Sequence, residues 1–333
     1  MCSKEDLVSI AVATYNGERF LQSQLESIIK QTYHNLEIII VDDASHDNTF
    51  EIIKEYASRD ERIKYFKNET NCGVIKTFER AIKLTQGRFI ALADQDDIWH
   101  RYKIYDLVQF MKNHPKVLLC FHNAELIDEN DNLISPDFWR YAGIRIREGH
   151  IFDHTCLSQT IIERNCISGC MTLFQCQLKS YIFPFPAEIA IHDWWLGFVA
   201  SFWGSIQSIP RPLIQYRQHS ANLCGAKLTP ELWTKKPLVT RYYQNALQYL
   251  AMYNYIAHIN SAEILSSKRN QLNHVKEQLF RYYITYKKRY KMLKKKKRSS
   301  RLGLLLESPF GLWSIKKLTR DFEIALKLRN IYY

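Results

Sequence analysis

Three carboxylates crowd into four residues at Asp94, Asp96 and Asp97, directly after the apolar run Phe89 to Ala93 and just before Trp99. Like charges this close repel, and carboxylates resist burial, so folding alone gives little reason to gather them behind a core strand. A hard divalent cation supplies a reason, because it takes oxygen ligands and shares them with substrate phosphates. A solvated acidic turn that caps the following helix would show the same residues, so the cluster alone leaves both readings open.

Two more polar clusters follow apolar runs. Leu7 to Ala13 reads as a buried strand ended by Thr14, Tyr15, Asn16 and Gly17, and Leu36 to Val41 as a second ended by Asp42, Asp43, Ala44 and Ser45. Between them Phe20, Leu21, Leu25, Ile28 and Ile29 recur at helical spacing, and Asp47 or Asn48 is placed to cap a helix carrying Phe50, Ile53 and Ala57. A short strand, Ile63 to Phe66, precedes a helix over Lys76 to Thr85. Strands alternating with helices imply a parallel sheet covered on both faces. Ligands of such sheets bind beyond the carboxyl ends of the strands. All three clusters fall at those ends and should meet at one edge, a coincidence that turn chemistry explains poorly. The chain has neither GxGxxG nor GxxxxGK[ST], so a phosphate would be held through a cation, helped by Lys76 or arginine side chains.

The ordered motifs VATYNG (Val12 to Gly17), VDDAS (Val41 to Ser45), NCGVIKTF (Asn71 to Phe78) and ADQDDIW (Ala93 to Trp99) resemble those of glycosyltransferase family 2 over roughly residues 7–225. The resemblance implies an α/β, Rossmann-like, mostly parallel sheet, the A-type glycosyltransferase fold. The DQDDxW form is similar to the rhamnosyltransferase-like branch, which implies a dTDP-sugar donor and a role in bacterial surface polysaccharide. It further implies that Asp43 binds the pyrimidine, that Asp94 binds the ribose or the metal shell, and that Thr14, Tyr15 and Asn16 shape the base pocket. Asn71 and Lys76 are expected as weaker nucleotide contacts. Asp96 is the implied ligand of Mg²⁺ or Mn²⁺.

Downstream, Ile167 to Phe174 resembles the family's acceptor-side strand, with Ser168 where a first small residue, usually glycine, stands. Ile191 to Trp195 resembles the catalytic acidic motif, which makes Asp193 the expected general base; an N-cap is the other reading of that residue. Tyr216 to Asn222 resembles a YRxHxxN segment, implying that His219 touches the metal or the diphosphate. Between these motifs, Val117 to His122 reads as a strand and Asn123 to Gly149 as irregular, with Phe138, Trp139 and Tyr141 available as a sugar platform or as ordinary half-buried aromatics.

Of 333 residues, 46% are hydrophobic, yet no apolar run approaches the ~20 residues of a membrane helix. The eight cysteines form no CxxC pair, and Cys120 and Cys170 read as small core residues of a protein in a reducing cytoplasm. The net charge of +12 is uneven: residues 268–333 hold 19 Lys and Arg against 4 Asp and Glu, while the rest is mildly acidic. That body makes a nucleic-acid groove unexpected. The division predicted is a nucleotide-sugar domain over residues 1–228 and a basic helical region over 229–333, with Leu247, Leu250, Met252 and Tyr255 on one helix face. Lys294 to Arg298, followed by Leu312, Ile315 and Phe322, suits the inner face of an anionic membrane and equally a helical bundle with a solvated charged face, with nucleic acid a weaker option for the basic run. The activity expected is metal-dependent, inverting transfer of a sugar from dTDP- or UDP-sugar to a saccharide or lipid-linked acceptor. Its rivals are a nucleotidyltransferase and a non-enzymatic polyanion-binding protein.

Overall fold

The computed structural model describes residues 5–144, 151–152, 161–162, 165–220, 222, 238–259 and 269–294. The chain divides into two compact units, Met1–Phe185 with Ile191–Lys235, and Pro186–Ala190 with Lys236–Tyr333.

The first unit is built on one mixed sheet. Strands β1 (Val8–Thr14), β2 (Leu36–Asp42), β3 (Ile63–Lys67) and β4 (Phe89–Ala93) run parallel in the order β3-β2-β1-β4. β2 and β4 are buried at every residue, as expected of mostly apolar strands covered on both faces, and β2 buries Glu37 and Asp42 as well. The register pairs Thr14 with Asp42 and Val12 with Ala93, so the residues after these strands emerge side by side. Helices α1 (Leu21–Ile29), α2 (Thr49–Arg59) and α3 (Val74–Leu84) connect the strands. At α2 the residue in the cap position, Asn48, makes no side-chain cap bond, and Asp47 Oδ1 accepts from Thr49 N at 3.1 Å instead.

Beyond β4 the sheet departs from simple alternation. β5 (Ile98–Trp99) and α4 (Lys103–Asn113) lead to β6 (Val117–Ile127), which does not end at His122. Its polar members are accommodated: His122 Nδ1 is 2.6 Å from Asn123 O, and Asn123 Nδ2 donates to Asp137 Oδ1 at 2.8 Å. The stretch expected to be irregular also holds β7 (Leu133–Ser135) and a short helix α5 (Phe138–Tyr141), capped by the Asp137 carboxylate through Arg140 N at 3.0 Å. Phe138 and Trp139 are only 7% exposed and pack edge-on against Tyr216 and Phe121, so these two rings belong to the core and form no sugar platform.

After β8 (Ile151–Phe152) the chain makes a 3₁₀ turn, Gly169–Met171, before β9 (Thr172–Gln175), which is shorter than the strand expected from Ile167. β9 inserts antiparallel between β4 and β6, pairing Leu173 with both Ala91 and Cys120. Because it runs against its neighbours, its beginning lies at their carboxyl edge, and the 3₁₀ turn comes to rest beside the acidic cluster. Helix α6 (Lys179–Ile182) and helix α7 (His192–Trp203) precede β10 (Ser205–Arg217), which runs parallel to β6 and brings Arg217 to the same edge. Pro212 sits between two register shifts of β10, where a missing N–H is tolerated.

In the second unit α8 (Leu238–His258) and α9 (Arg269–Lys294) pack antiparallel along a tyrosine seam. Tyr249 stacks on Tyr282 with centroids 4.9 Å apart, Tyr242 meets Tyr286 at 5.7 Å, and Tyr253 meets Phe280 at 5.5 Å. Met252 is buried as expected, but the seam runs through Tyr242, Ala246, Tyr249 and Ile256, leaving Leu247, Leu250 and Tyr255 half-buried. Leu312, Ile315, Phe322 and the basic run after Lys294 lie outside the described residues. Among the described residues no helix is long and apolar enough to cross a membrane.

Candidate active site

The edge expected from the sequence exists, and its first half is densely hydrogen-bonded. Thr14 Oγ1 donates to Asp42 Oδ1 at 3.1 Å, and Ser45 donates to the same carboxylate through Oγ at 2.5 Å and N at 3.0 Å. Asn16, at φ +48°, donates its N–H to Ser45 Oγ at 2.9 Å and accepts at Oδ1 from His46 N at 3.0 Å. Asp43 is buried and accepts from Asn68 Nδ2 at 2.7 Å and from Cys72 N and Gly73 N at 2.8 Å each. A carboxylate offers about four acceptor positions, so one remains on Oδ2. Asn71, one residue before these donors, is exposed; Lys76 is exposed and turned toward Glu79 at 2.7 Å.

Gln95 joins this half to the acidic cluster. Its side chain accepts from Tyr15 N at 2.8 Å and donates to Tyr15 O at 3.1 Å, leaving the Tyr15 ring exposed. A Cβ on Gly17 would stand 2.4 Å from Gln95 Oε1, so any other residue there would have to displace the Gln95 amide from Tyr15.

The second half is poorer in donors. Burial first, and then Asp96 and Asp193, push the Asp94 carboxyl up to about 7. Burial and the charges of Asp96 and Asp94 raise Asp97 well above the carboxylate range, although Arg217 N donates to its Oδ1 at 3.1 Å. Asp97 Oδ2 is buried with no nitrogen or oxygen donor among the described residues, and the Cys170 thiol is the side chain that bonds this carboxyl. Asp96 Oδ2 lies 2.8 Å from His219 Nε2. The fully buried Arg217 ties the cluster down: Nε donates to Asp96 O at 2.8 Å, Nη1 to Asp128 O at 3.2 Å and to Asp131, and its guanidinium lies 4.6 Å from the Phe20 ring centroid.

Asp193 approaches from α7. It occupies the first turn, not the cap, which is Ile191. Asn165 Nδ2 donates to Oδ1 at 2.7 Å and Gly169 N to Oδ2 at 3.1 Å, and burial nevertheless holds the carboxyl up at about 6. A Cβ on Gly169 would stand 2.9 Å from His192 Nε2 and 3.6 Å from Asp193 Cβ, so what this glycine admits in the structure is the start of α7.

Sequence reasoning assigned no role to Asn165, Gln95, Arg217 or Lys103. Asn165 carries no pattern that would single it out, whereas Gln95 and Arg217 lie inside the DQDDxW and YRxHxxN segments. Lys103 did leave a signal, since it falls on the stripe with Leu107 and Met111 that α4 buries.

The donors on this edge fit a hard divalent ion. Asp96 and His219 place ligand atoms 2.8 Å apart. These two atoms are hydrogen-bonded to each other here, and a cation would have to be held in place of that bond. The mutual repulsion that lifts Asp94 and Asp97 is also what a cation relieves.

A parallel β3-β2-β1-β4 half closed by an antiparallel strand, with acidic turns along one edge, defines the A-type glycosyltransferase fold. Staphylococcus aureus TarS residues 1–349 in complex with UDP aligns at a TM-score of 0.54 and 20% identity over 85% of this chain and 91% of that one. A Pyrobaculum calidifontis mannosyltransferase in complex with GDP-Man and Mn²⁺ aligns at 0.56 and 14% identity over 98% and 81%. The pattern of glycosyl transferase family 2 matches residues 9–178, half of the chain, and the chain belongs to that family. The matched residues carry a glycosyltransferase domain. Among its relatives is the Escherichia coli UDP-Glc:α-D-GlcNAc-diphosphoundecaprenol β-1,3-glucosyltransferase WfgD, 33% identical over 191 residues, or 56% of this chain and 68% of WfgD. The chain spans about half to two thirds of the length of the curated relatives it matches.

Proposed function

We propose that residues 1–228 transfer a sugar, with inversion, from a uracil- or thymine-nucleoside diphosphate to a hydroxyl of a lipid-linked saccharide in bacterial surface polysaccharide synthesis. The observation that supports this most directly is the meeting of Asp193 with the acidic turn at one sheet edge, close enough for its charge to raise Asp94. Asp43 has one acceptor position open, which suits the N3–H of uracil or thymine and rejects the bare N3 of cytosine. Thr14, Tyr15 and Asn16 shape the turn beside it, and Asn71 and Lys76 stand at the mouth. Asp96 and His219 would hold Mg²⁺ or Mn²⁺, with Asp94 in its outer shell. When bound, the ion neutralises the departing diphosphate.

Asp193 takes the proton of the acceptor hydroxyl as that oxygen bonds to the anomeric carbon and the bond from carbon to diphosphate oxygen breaks. Asn165 and Gly169 fix the carboxylate for this task, and its elevated pKa makes it a stronger base than an exposed aspartate. The acceptor class rests on WfgD, whose name specifies a diphosphoundecaprenol-linked sugar. The basic region, residues 229–333, would bring the enzyme to such an acceptor on the inner, cytoplasmic face of the membrane. α9 has Arg281, Lys288, Lys291 and Lys294 exposed together with Phe280, and Glu277 is its one acidic residue. Each basic residue near an anionic surface contributes about 1 kcal/mol.

The test is a panel of UDP-, dTDP- and GDP-sugars offered with a prenyl-diphosphate-linked saccharide, read by mass spectrometry with Mn²⁺, with Mg²⁺ and with EDTA. One pyrimidine donor should turn over and release nucleoside diphosphate only with metal. Turnover unaffected by EDTA, or restricted to GDP-sugars, would overturn the reading.

A further inference from the structure

Asn68 is the first residue beyond β3, the point at which that strand joins the same edge. Its N–H donates to Asp42 O at 2.8 Å, and its side chain turns toward α3 in a residue only 8% exposed. Three bonds fix the carboxamide. Arg80 Nη1 donates to Oδ1 at 2.6 Å, while Nδ2 donates to Asp43 Oδ1 at 2.7 Å and to Thr77 Oγ1 at 3.3 Å. An arginine only donates and a carboxamide has one oxygen, so Arg80 dictates which end of the amide faces Asp43. Arg80 is itself held by Lys67 O at 3.0 Å, with its guanidinium 5.8 Å from the Phe66 ring centroid.

Thr77 closes a circuit. Its hydroxyl donates to Gly73 O at 3.0 Å, which leaves Oγ1 an acceptor toward Asn68, and Gly73 N returns to Asp43 Oδ2 at 2.8 Å. Gly73 stands at φ +84°, a setting that residues with a Cβ resist. Among the described residues, each group hydrogen-bonded to Asp43 is a donor: Asn68 Nδ2 and Cys72 N on Oδ1, Gly73 N on Oδ2. We propose that Asn68, oriented by Arg80, is a positioning residue for nucleobase recognition. It completes Oδ1, so that Asp43 offers a ligand one acceptor position, on Oδ2, aimed at a pyrimidine N3–H. The terminal torsion of an aspartate is broad. Without the amide, two backbone N–H groups alone would set the plane of this carboxylate. The proposal rests on Asp43 binding the base as described under the proposed function.

The test compares UDP with CDP, which differ in whether N3 carries a proton, by calorimetry in the presence of Mn²⁺. Wild type should prefer UDP by about tenfold or more, the worth of a hydrogen bond to a charged group. Asn68→Leu keeps the bulk and removes the donor. Its UDP affinity should fall about tenfold while its CDP affinity changes less than about threefold, so that the preference collapses. Arg80→Met, at a half-buried position on α3, should weaken UDP alone by about threefold. Added to Asn68→Leu it should do nothing more, because its effect passes through the amide. Equal losses for UDP and CDP in Asn68→Leu would make Asn68 a plain structural residue and overturn the proposal. So would an unchanged UDP preference, or additive effects of the two substitutions. If Asn68→Leu does not fold, Arg80→Met decides alone, and full retention of the UDP preference in it overturns the proposal. A wild type that binds CDP as tightly as UDP would instead remove Asp43 from the base, and the proposal would fall with that reading.

Discussion

Two acidic turns stand on the same sheet edge, and their surroundings are opposite. Asp42 and Asp43, beyond β2, are enclosed by donors: Thr14, Ser45, Asn68, and the backbone of Cys72 and Gly73. Asp94 and Asp97, beyond β4, are buried among like charges with few donors, Arg217 N and the Cys170 thiol among them. The first turn is finished by the fold and can recognise a base through its remaining acceptor. The second is left electrostatically incomplete and needs positive charge. On the proposed reading, recognition would be placed where the protein is satisfied, and chemistry where it is not.

The sharpest way to break this contrast is Asp96→Asn. Removing the proposed metal ligand should bring transfer to background, a loss of about three orders of magnitude or more, with an unchanged melting temperature, given several kcal/mol of Lewis-acid stabilisation. Wild-type kinetics and metal dependence in that variant would refute the assignment.

Asp193→Asn should lower kcat by about two to four orders of magnitude, the usual contribution of a general base, and leave UDP affinity alone. The sign of its effect on stability is opposite to its effect on rate. Burial raises the folded-state carboxyl from 3.8 to about 6, so the unfolded chain releases its proton first. Folding stability from this group is therefore full below about pH 4 and is lost as pH rises toward 6, and Asn should stabilise the protein at pH 7 by about 1–3 kcal/mol. The same shift predicts that log kcat in the wild type falls with unit slope below about pH 6, where the base becomes protonated. A pH profile and paired thermal melts check both.

Asp43→Asn probes the satisfied turn. An amide there offers N–H toward Cys72 or Gly73 and toward the base, so UDP affinity measured by calorimetry should fall about 10- to 100-fold, the worth of a charged hydrogen bond. Unchanged affinity would detach Asp43 from the nucleotide.

The smallest effect on turnover is expected from α9. Arg281, Lys288, Lys291 and Lys294 changed together to Glu should abolish sedimentation with anionic phosphatidylglycerol vesicles at low salt while altering kcat on a water-soluble acceptor less than twofold. Failure of the wild type to bind anionic vesicles at low salt would remove the membrane from the account.

The donor side was legible because each strand advertised its end: Thr14, Asp42 and Asp94 each close a mostly apolar run. The acceptor side was not. β9 is four residues long and sits antiparallel in a sheet whose alternation predicts parallel strands, so nothing local announces its insertion. β6 was cut short at His122 because Asn123 and Glu125 look like loop residues, whereas distant partners such as Asp137 satisfy them. Asn165 reaches Asp193 from 28 residues away, a contact no motif encodes. Phe138 and Trp139 have the composition of a sugar platform, and only packing against Tyr216 and Phe121 shows them to be core.

The antiparallel insertion of β9 also sets an order of events on the ribosome. β4 and β6 are synthesised long before the strand that joins them, so a nascent chain that has emerged only to about residue 150 holds two strands with an empty lane between them. Unpaired strand edges are templates for other chains, and non-local pairings form slowly. The lane closes only when Thr172–Gln175 arrives, and the turn that orients Asp193 is set down in the same step. Chains stalled before this point should therefore be the aggregation-prone species, and chaperone demand should fall once the acceptor side of the site is made.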